Sequence, residues 1–555
     1  MSKNRSSDDG GKPAGTKKGM GGSFRSSRLR FMGLDSDDVV RAFFGGNATL
    51  AIVVLVLIMF FLFREGAGFM GQNATELVTY RQSGLEYVDY MRAEVDTFHE
   101  LPRFLTDVES ARIKALMADG MDLKAAREQA KSLHELTAGL RKIVRPLDRF
   151  VDGLSDYAIR MRDEYKTGLN KAEERANFLG DAEKARSRGN ADKAASLEAS
   201  GADVKVVGVD FVQKRRYLLS MQPEYLRLNE DLRAGITAML DTLPYDDPVI
   251  GRKMTRLREK AASFIAYTHQ TEARLANWNA DKPVPFLYRI TDFLFGRRWI
   301  TNSFFQDWYG VLPLLYGSVL VSVIALLFAV PLGVAGAIYV NQFSCPQEQK
   351  FIKPYIEFIS AIPSVVIGFF GVIVWGQFVR EASGWSIFSW IPGFPIAERL
   401  NAFTAGSLLA LMAIPTIFTL AEDALNNVPK AYKEASLAVG ATRLQTTIRV
   451  VVPTALSGIV SAVLLGFGRV IGETMVVLLC AGNRIAMPDI SEGLSAIFQP
   501  VHTMTGIVAQ EMGEVVPGSI HYRALFLVGT LLFFISLLIN YLAQKIMRRY
   551  SIAEK

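Results

Sequence analysis

Apolar residues gather along this chain in six runs, and the lengths of those runs set the first expectation. Crossing a hydrocarbon layer of roughly 30 Å takes about 20 mostly apolar helical residues, because open strands there would leave backbone groups unpaired. Six stretches qualify: Ala42 to Phe63, with the run AIVVLVLIMFFLF, then about Val311 to Val340, Tyr355 to Val379, Ala402 to Leu420, Pro453 to Ala481 and Ala524 to Ala543. The pattern predicts an all-α polytopic membrane protein with six transmembrane helices.

Between the first two runs the pattern changes. From Arg64 to Ile300 about 31% of the residues are charged, against roughly 14% elsewhere. A connection of about 240 residues needs structure of its own. The segment ARIKALMADGMDLKAAREQAKSLHELTAGLRKIVRPLDRF is rich in helix formers, and Leu101, Leu105, Ile113, Leu116 and Leu123 fall loosely on one face. This predicts a mainly helical insert, a hairpin or small bundle. Breaks are expected at the polar Gly180 to Gly201 stretch and at the LPYDDPVIG turn from Leu243, with a short strand in VKVVGVDF from Val204. Mixed charges mark a wet helix surface, so a spacer or docking role is favoured over a ligand sensor.

Charge then orients the spans. The net charge of +7 is concentrated at the two ends, from Lys3 to Arg30 and at Lys545, Arg548 and Arg549, each beside an apolar run. That is the positive-inside signature of cytoplasmic termini rather than a nucleic-acid site. An even number of spans agrees, and places the insert outside. The loops near Lys350 and from Glu422 to Val452, with Lys430, Lys433, Arg443 and Arg449, fall inside; the loop from Asn483 to Tyr522, with Asp489, Glu492, Glu511 and Glu514, falls outside. The expected organisation is a disordered basic tail (1–41), a first transmembrane helix (42–63), an extracytoplasmic insert (64–300), a five-helix core (301–545) with a cytoplasmic loop at 422–452, and a cytoplasmic tail (546–555).

The reactive residues exclude several classes. Cys345 and Cys480 are the chain's two cysteines, too few for a disulfide scaffold or a cysteine metal cluster. His99, His134, His269, His502 and His521 are scattered, with no HExxH and no GxSxG elbow. No catalytic residue, metal site or bound cofactor is expected. The stretch Gly10 to Gly15 ends as GTK and lacks the Lys-Ser/Thr order of a phosphate-binding loop, so any ATP and magnesium would be used by another chain.

The cytoplasmic loop carries the clearest chemistry. Val428-Pro429 ends the fourth span and opens a short helix. Ala435, Ser436, Ala438, Gly440 and Ala441 are small enough for close approach by a partner, and Glu434 offers it a charge. Pro453 is expected to begin the next span, where a missing N–H costs little. Glu434-Ala435-Ser436, then Gly440, Ala441, Ile448 and Pro453, resemble the EAA loop of binding-protein-dependent ABC importer permeases, with Ser436 in place of the last alanine. In that family the loop docks on the ATPase.

Within the fifth run, Arg469 and Glu473 stand four residues apart in LLGFGRVIGETMVVLL, on one face if the helix is continuous. Ionised groups inside a membrane mark either a transport path or a helix lock. The path reading is favoured, with the arginine attracting an anion and the glutamate orienting or gating. Pro331, Pro363 and Pro415, in AVPLGVAG, IPSVVIG and AIPTIF, are the candidate bending points.

From Gly296 onward the chain resembles the PstC family of phosphate ABC importer permeases, MetI-like subunits of type I importers. The resemblance rests on FLFGRRW, GVLPLLYGS, ISAIPSVVIGFFG, EASLAVGATRLQTTIRVVVPTALSGI, GFGRVIGETM, TGIVAQEMGEV and HYRALF, in family order. It implies an inner-membrane permease paired with a PstA-like second permease, a PstB-like ATPase dimer and a periplasmic phosphate-binding protein. It also implies that the family's polar pair falls on Arg469 and Glu473, and its coupling glutamate on Glu434. The insert departs from the shorter members of the family, so its role does not carry over. Permeases for sulfate or molybdate share the EAA loop and remain the alternative. A receptor with an external sensor is the more distant one, since only about 11 residues follow the sixth span.

Overall fold

After the apolar run that begins it, the first helix meets no proline to stop it, and it does not stop. In the computed structural model, which describes residues 36–241, 250–388, 390–391, 394–488 and 490–550, helix α1 runs unbroken from Ser36 to Gln82. The expected boundary at Phe63 is therefore not an end of structure. The tail before residue 36, the turn at 243–249, Asp489 and the residues after 550 lie outside the described residues.

Of the described residues, those up to Phe61 form one unit and those from Leu62 onward a second. In the first, the side chains from 40 to 61 are all exposed, and a helix apolar on every side is one that meets lipid. The second unit begins with the insert. Its helices are α2 (Leu85–Phe98), α3 (Glu100–Ala118), α4 (Leu123–Gln129), α5 (Lys131–Ser187), α6 (Ala191–Asp203), α7 (Phe211–Ser220), α8 (Gln222–Leu240), α9 (Gly251–Ala276) and α10 (Phe286–Phe295). Helix α5 is the spine at 57 residues, roughly 85 Å at 1.5 Å per residue. Around one end of it α2, α3, α8 and α9 bury Tyr87, Met91, Phe98, Leu105, Tyr225 and Phe264 in a core that Tyr80 of α1 also joins.

One local expectation holds here and one fails. The break expected between Gly180 and Gly201 falls at Arg188 to Asn190, after α5 has passed through Gly180, and the Asn190 side chain accepts the Lys193 N–H at 3.2 Å and caps α6. The Val204 to Asp210 run forms no strand. Its β-branched residues have no neighbouring strand to pair with, and Asp210 instead caps α7.

A two-stranded hairpin, β1 (Trp299–Ile300) and β2 (Trp308–Tyr309), joins the insert to the core with Trp299 opposite Tyr309. The core follows as α11 (Leu312–Gln342), α12 (Pro346–Ala361), α13 (Ser364–Phe370), α14 (Gly376–Ser383), α15 (Ala402–Asn426), α16 (Lys430–Ala438), α17 (Arg443–Thr446), α18 (Val452–Ile471), α19 (Met475–Cys480), α20 (Met504–Glu511) and α21 (Ile520–Tyr550). Six helical stretches among the described residues are long and apolar enough to cross a membrane: 40–82, 312–342, 364–383, 402–426, 443–471 and 520–546.

The third and fifth of these differ from the hydropathy reading. Tyr355 to Ala361 belong to α12, which buries none of its residues; the third span begins only after the break at Ile362-Pro363. The fifth span stops at Ile471, and Gly472, Glu473 and Thr474 are non-helical before α19. Pro453 does not begin that span. The helix starts at Arg443, widens into a π-helical stretch at Thr447–Val451, and carries Pro453 just beyond it; a proline cannot donate to the previous turn, and local widening relieves the clash.

Small residues let the spans approach. A Cβ on Gly406 would lie 2.6 Å from Ile324 Cγ2, and one on Gly466 would lie 2.7 Å from Ile417 Cγ1. Helices α11, α15 and α18 therefore pack around Ala325, Ala413 and Ile417 with little between the backbones.

Candidate functional site

The loop after the fourth span is built by its punctuation. Pro429, at φ −55° and ψ 132°, is the N-cap of α16 and separates it from α15, which ends at Asn426. At the other end Gly440 adopts φ +86°, a left-handed conformation that glycine reaches without strain. The Gly440 N–H donates to the Leu437 carbonyl at 3.0 Å and the Ala441 N–H to the Ser436 carbonyl at 3.3 Å, which is a Schellman ending. Thr442 then starts the following helix through a reciprocal cap: its hydroxyl accepts the Gln445 N–H at 3.2 Å, and its own N–H donates to Gln445 Oε1 at 3.0 Å. The Gly-Ala-Thr sequence after the helix is thus a turn specification as well as a set of small residues.

What this turn presents is a nine-residue helix with nothing buried. Glu434 and Ala435 are exposed, Ser436 is half-buried, and Gly440 and Ala441 follow at the turn. Ser436 Oγ lies 3.0 Å from Thr446 Oγ1 and ties the helix to the start of the fifth span. Burial and the neighbouring Lys430 hold Lys433 below its ordinary pKa. Exposed Tyr432, Leu437, Leu444 and Ile448, with Val439 at 85%, add apolar area beside Glu434, an exposed patch of the kind that marks an interaction surface. Behind it the ends of the neighbouring helices are bound together: Lys353 Nζ meets Glu422 Oε1 at 2.5 Å, and Asn341 Nδ2 donates to Asn426 Oδ1 at 2.5 Å.

Arg469 and Glu473 are not the ion pair that their spacing suggests. The helix ends between them. Arg469 Nη1 donates to Thr416 Oγ1 at 2.8 Å, bridging the last turn of α18 to α15 beside Pro415. Glu473 sits in the break, where Oε1 accepts the Met475 N–H at 3.2 Å and its carbonyl accepts the Thr505 hydroxyl at 2.8 Å. Arg469 remains exposed and Glu473 half-buried. Non-helical backbone at membrane depth persists only where protein or a watery cavity satisfies it. Thr416 and Thr505, which the sequence reading passed over, are the side chains that hold this break and its arginine. A threonine directly after Pro415 was the available signal.

The candidate bending points divide. Pro363 is the N-cap of α13 at a real break, whereas Pro331 and Pro415 lie within continuous α11 and α15. Among the described residues, no group of three or more His, Cys, Asp or Glu is placed to hold a metal ion.

Residues 329–550 match the family described as binding-protein-dependent transport system inner membrane component. Among curated proteins, the chain is 35% identical over 242 residues to the probable ABC transporter permease protein YqgH of Bacillus subtilis, covering 43% of this chain and 72% of that one. It is 32% identical over 250 residues to the phosphate transport system permease protein PstC of Mesorhizobium japonicum, covering 43% and 74%. The chain belongs to this permease family. It is a multi-pass membrane subunit of an ABC importer, a transporter component rather than an enzyme. A solved chain of the MetNI methionine ABC transporter, in an inward-facing form, aligns over 43% of this chain and 94% of its own, at 19% identity and TM-score 0.32. The insert lies outside the matched residues 329–550.

Proposed function

We propose that this permease is the PstC-type subunit of an ATP-driven importer of inorganic phosphate. It lines half of the translocation route and receives the ATPase stroke through α16. The exposed helix α16, clamped between Pro429 and the Schellman turn at Gly440, carries the coupling part of this reading. A helix that buries none of its own residues, yet is tied at both ends to membrane spans, is shaped to transmit a push. The relatives named phosphate transport system permease carry the choice of anion.

The partners are then a PstA-like permease, a PstB-like ATPase dimer that uses ATP and magnesium, and a phosphate-binding protein outside the inner membrane. This chain itself binds no cofactor. Termini and coupling loop are cytoplasmic and the insert extracytoplasmic, the arrangement that six spans and the basic ends both favour. Arg469, held by Thr416 at the helix break, supplies positive potential to the anion route, and Glu473 stiffens the break by capping α19. Pro363, at the break before α13, is the favoured hinge, with Pro331 and Pro415 accommodated inside their helices.

The test is ATP-dependent uptake of labelled phosphate, with sulfate as competitor, into vesicles holding the assembled transporter. Arg469→Ala should cut uptake while leaving assembly intact, and Glu434→Lys should leave ATP hydrolysis running without uptake. Full phosphate uptake by Glu434→Lys would refute the coupling role, and uptake suppressed equally by sulfate would refute the choice of phosphate.

A further inference from the structure

Helix α10 has an apolar face that no described part of the protein covers. Leu287 and Phe295, eight residues apart on one stripe with Thr291 between them, are 73% and 66% exposed, and Phe286 and Tyr288 beside them are also exposed. The opposite side turns Phe293 into a core with Phe69, Trp299 and Tyr309. Such a helix in water would hold its large apolar side chains against solvent.

Its position relative to the membrane follows from how it is joined to α11. The Val311 N–H donates to the Phe293 carbonyl at 2.8 Å and the Leu312 N–H to the Gly296 carbonyl at 3.3 Å, so the end of α10 and the first turn of α11 share hydrogen bonds. Gly296 and Gly310 make that contact possible: a Cβ on Gly310 would lie 2.4 Å from the Gly296 carbonyl. Helix α11 is a 31-residue membrane span, roughly 46 Å at 1.5 Å per residue. It is long enough to cross the hydrocarbon and reach the headgroups on both sides. Its first turn therefore sits at the headgroup level, and α10 sits there with it. Just inside, α11 itself shows exposed Val319, Val323 and Leu327, a lipid-facing stripe.

We infer that α10 lies in the bilayer surface as an interfacial helix, with Leu287 and Phe295 embedded among the outer-leaflet lipids, and that it seats the insert on the membrane. Exposed Arg297, one residue past the end of α10 and its Gly296 cap, is placed to meet lipid phosphates. The occupant is lipid, because the stripe continues at the level of a surface that is already lipid-facing. A second permease subunit on the same face is the competing outcome.

The experiment uses the full chain with exposed Cys345 changed to serine, since Cys480 is buried. Single cysteines at Leu287→Cys and Thr291→Cys, both exposed and so tolerant of a label, receive an environment-sensitive fluorophore; Lys193→Cys on α6 is the control. Vesicles of phosphatidylcholine and phosphatidylglycerol carry spin-labelled lipids with the quencher either shallow or deep. The expected result is quenching at 287 and 291 by the shallow label above that by the deep one, matching a depth of about 5–10 Å, and none at 193. This should hold both for the chain alone and for the assembled transporter. Quenching no greater than at 193 overturns the inference, and so does quenching that disappears when the partner permease is bound.

Discussion

Glu94 is the buried charge on which the insert's stability turns. It is fully buried between α2, α8 and α9; Tyr225, also buried, donates its hydroxyl to Oε2 at 2.8 Å, while Oε1 and both amide atoms of Asn229 have no hydrogen-bond partner. Burial pushes the carboxyl up from its ordinary 4.5 to about 7, against the opposite pull of Tyr225, Asn229 and Thr271, with Glu272 adding to the rise. The folded insert thus binds this proton more tightly than the unfolded chain does. Below the unfolded value both states hold it, and burial of this group then costs the insert least. Between 4.5 and about 7 the unfolded chain releases a proton that the fold retains, so stability falls by about 1.4 kcal/mol per pH unit. The loss reaches about 3 kcal/mol above that window.

Glu94→Gln removes the titration and keeps the shape of the protonated acid. Hydrogen exchange of the α2, α8 and α9 amides in the full-length protein, corrected for intrinsic rates, reads the opening free energy. The native chain should lose protection from pH 5 to pH 7.5, and Glu94→Gln should stay flat and be the more protected at pH 7.5. An unchanged pH slope in the variant would show that another group titrates, and the reasoning from burial would fail with it.

Three glycines yield sharper contrasts. Gly440 has open space around its Cβ position, so its requirement is backbone conformation alone. Gly440→Val should cost about 1–2 kcal/mol in the turn and reduce ATP-coupled uptake, whereas Gly440→Asn, which tolerates φ near +86°, should restore most of it; equal loss in both would point to ATPase contact instead. Gly310→Ala must push apart the α10–α11 crossing and should lower the thermal stability of the purified protein, whereas Gly180→Ala, in an open helical position, should raise stability by roughly 0.5–1 kcal/mol.

The spans and the helix at 430–438 were legible because each rests on a local rule. Length of apolar run decides a span, and a Pro429 start with a Gly440 stop decides a short helix. The misses are places where a distant contact overrides the local pattern. Arg469 and Glu473 read as an i, i+4 pair only if Gly472 is helical; Thr505 bonding the Glu473 carbonyl makes a break cheaper there than a continuous helix. The extension of α1 past Phe63 was hidden because the run's apolar character ends where the helix does not. The Val204 strand failed for want of a partner, which no window of one segment reveals.

The base of the insert carries a mechanical consequence of the fold. Phe69 of α1, Phe293 of α10, Trp299 and Tyr309 of the hairpin, and Ala524, Leu525 and Val528 of α21 share one buried core. Trp299 Nε1 also donates to Glu511 Oε2 at 3.3 Å, and that same oxygen lies 2.7 Å from His521 Nε2. Arg92 of α2 stacks over Phe305 with its guanidinium 3.2 Å from the ring centroid, and Arg162 of α5 bonds the Phe305 carbonyl. The core and the Trp299 bond reach α20 and α21 from α10 and the hairpin, and the two arginines tie α2 and α5 to the loop of that hairpin. A domain hung on one flexible strand would leave the spans free to move beneath it. A domain joined through a packed aromatic core, charged hydrogen bonds and a glycine crossing has to follow the first turns of α11 and α21 when they tilt. A force applied to the insert is therefore passed on to these two spans.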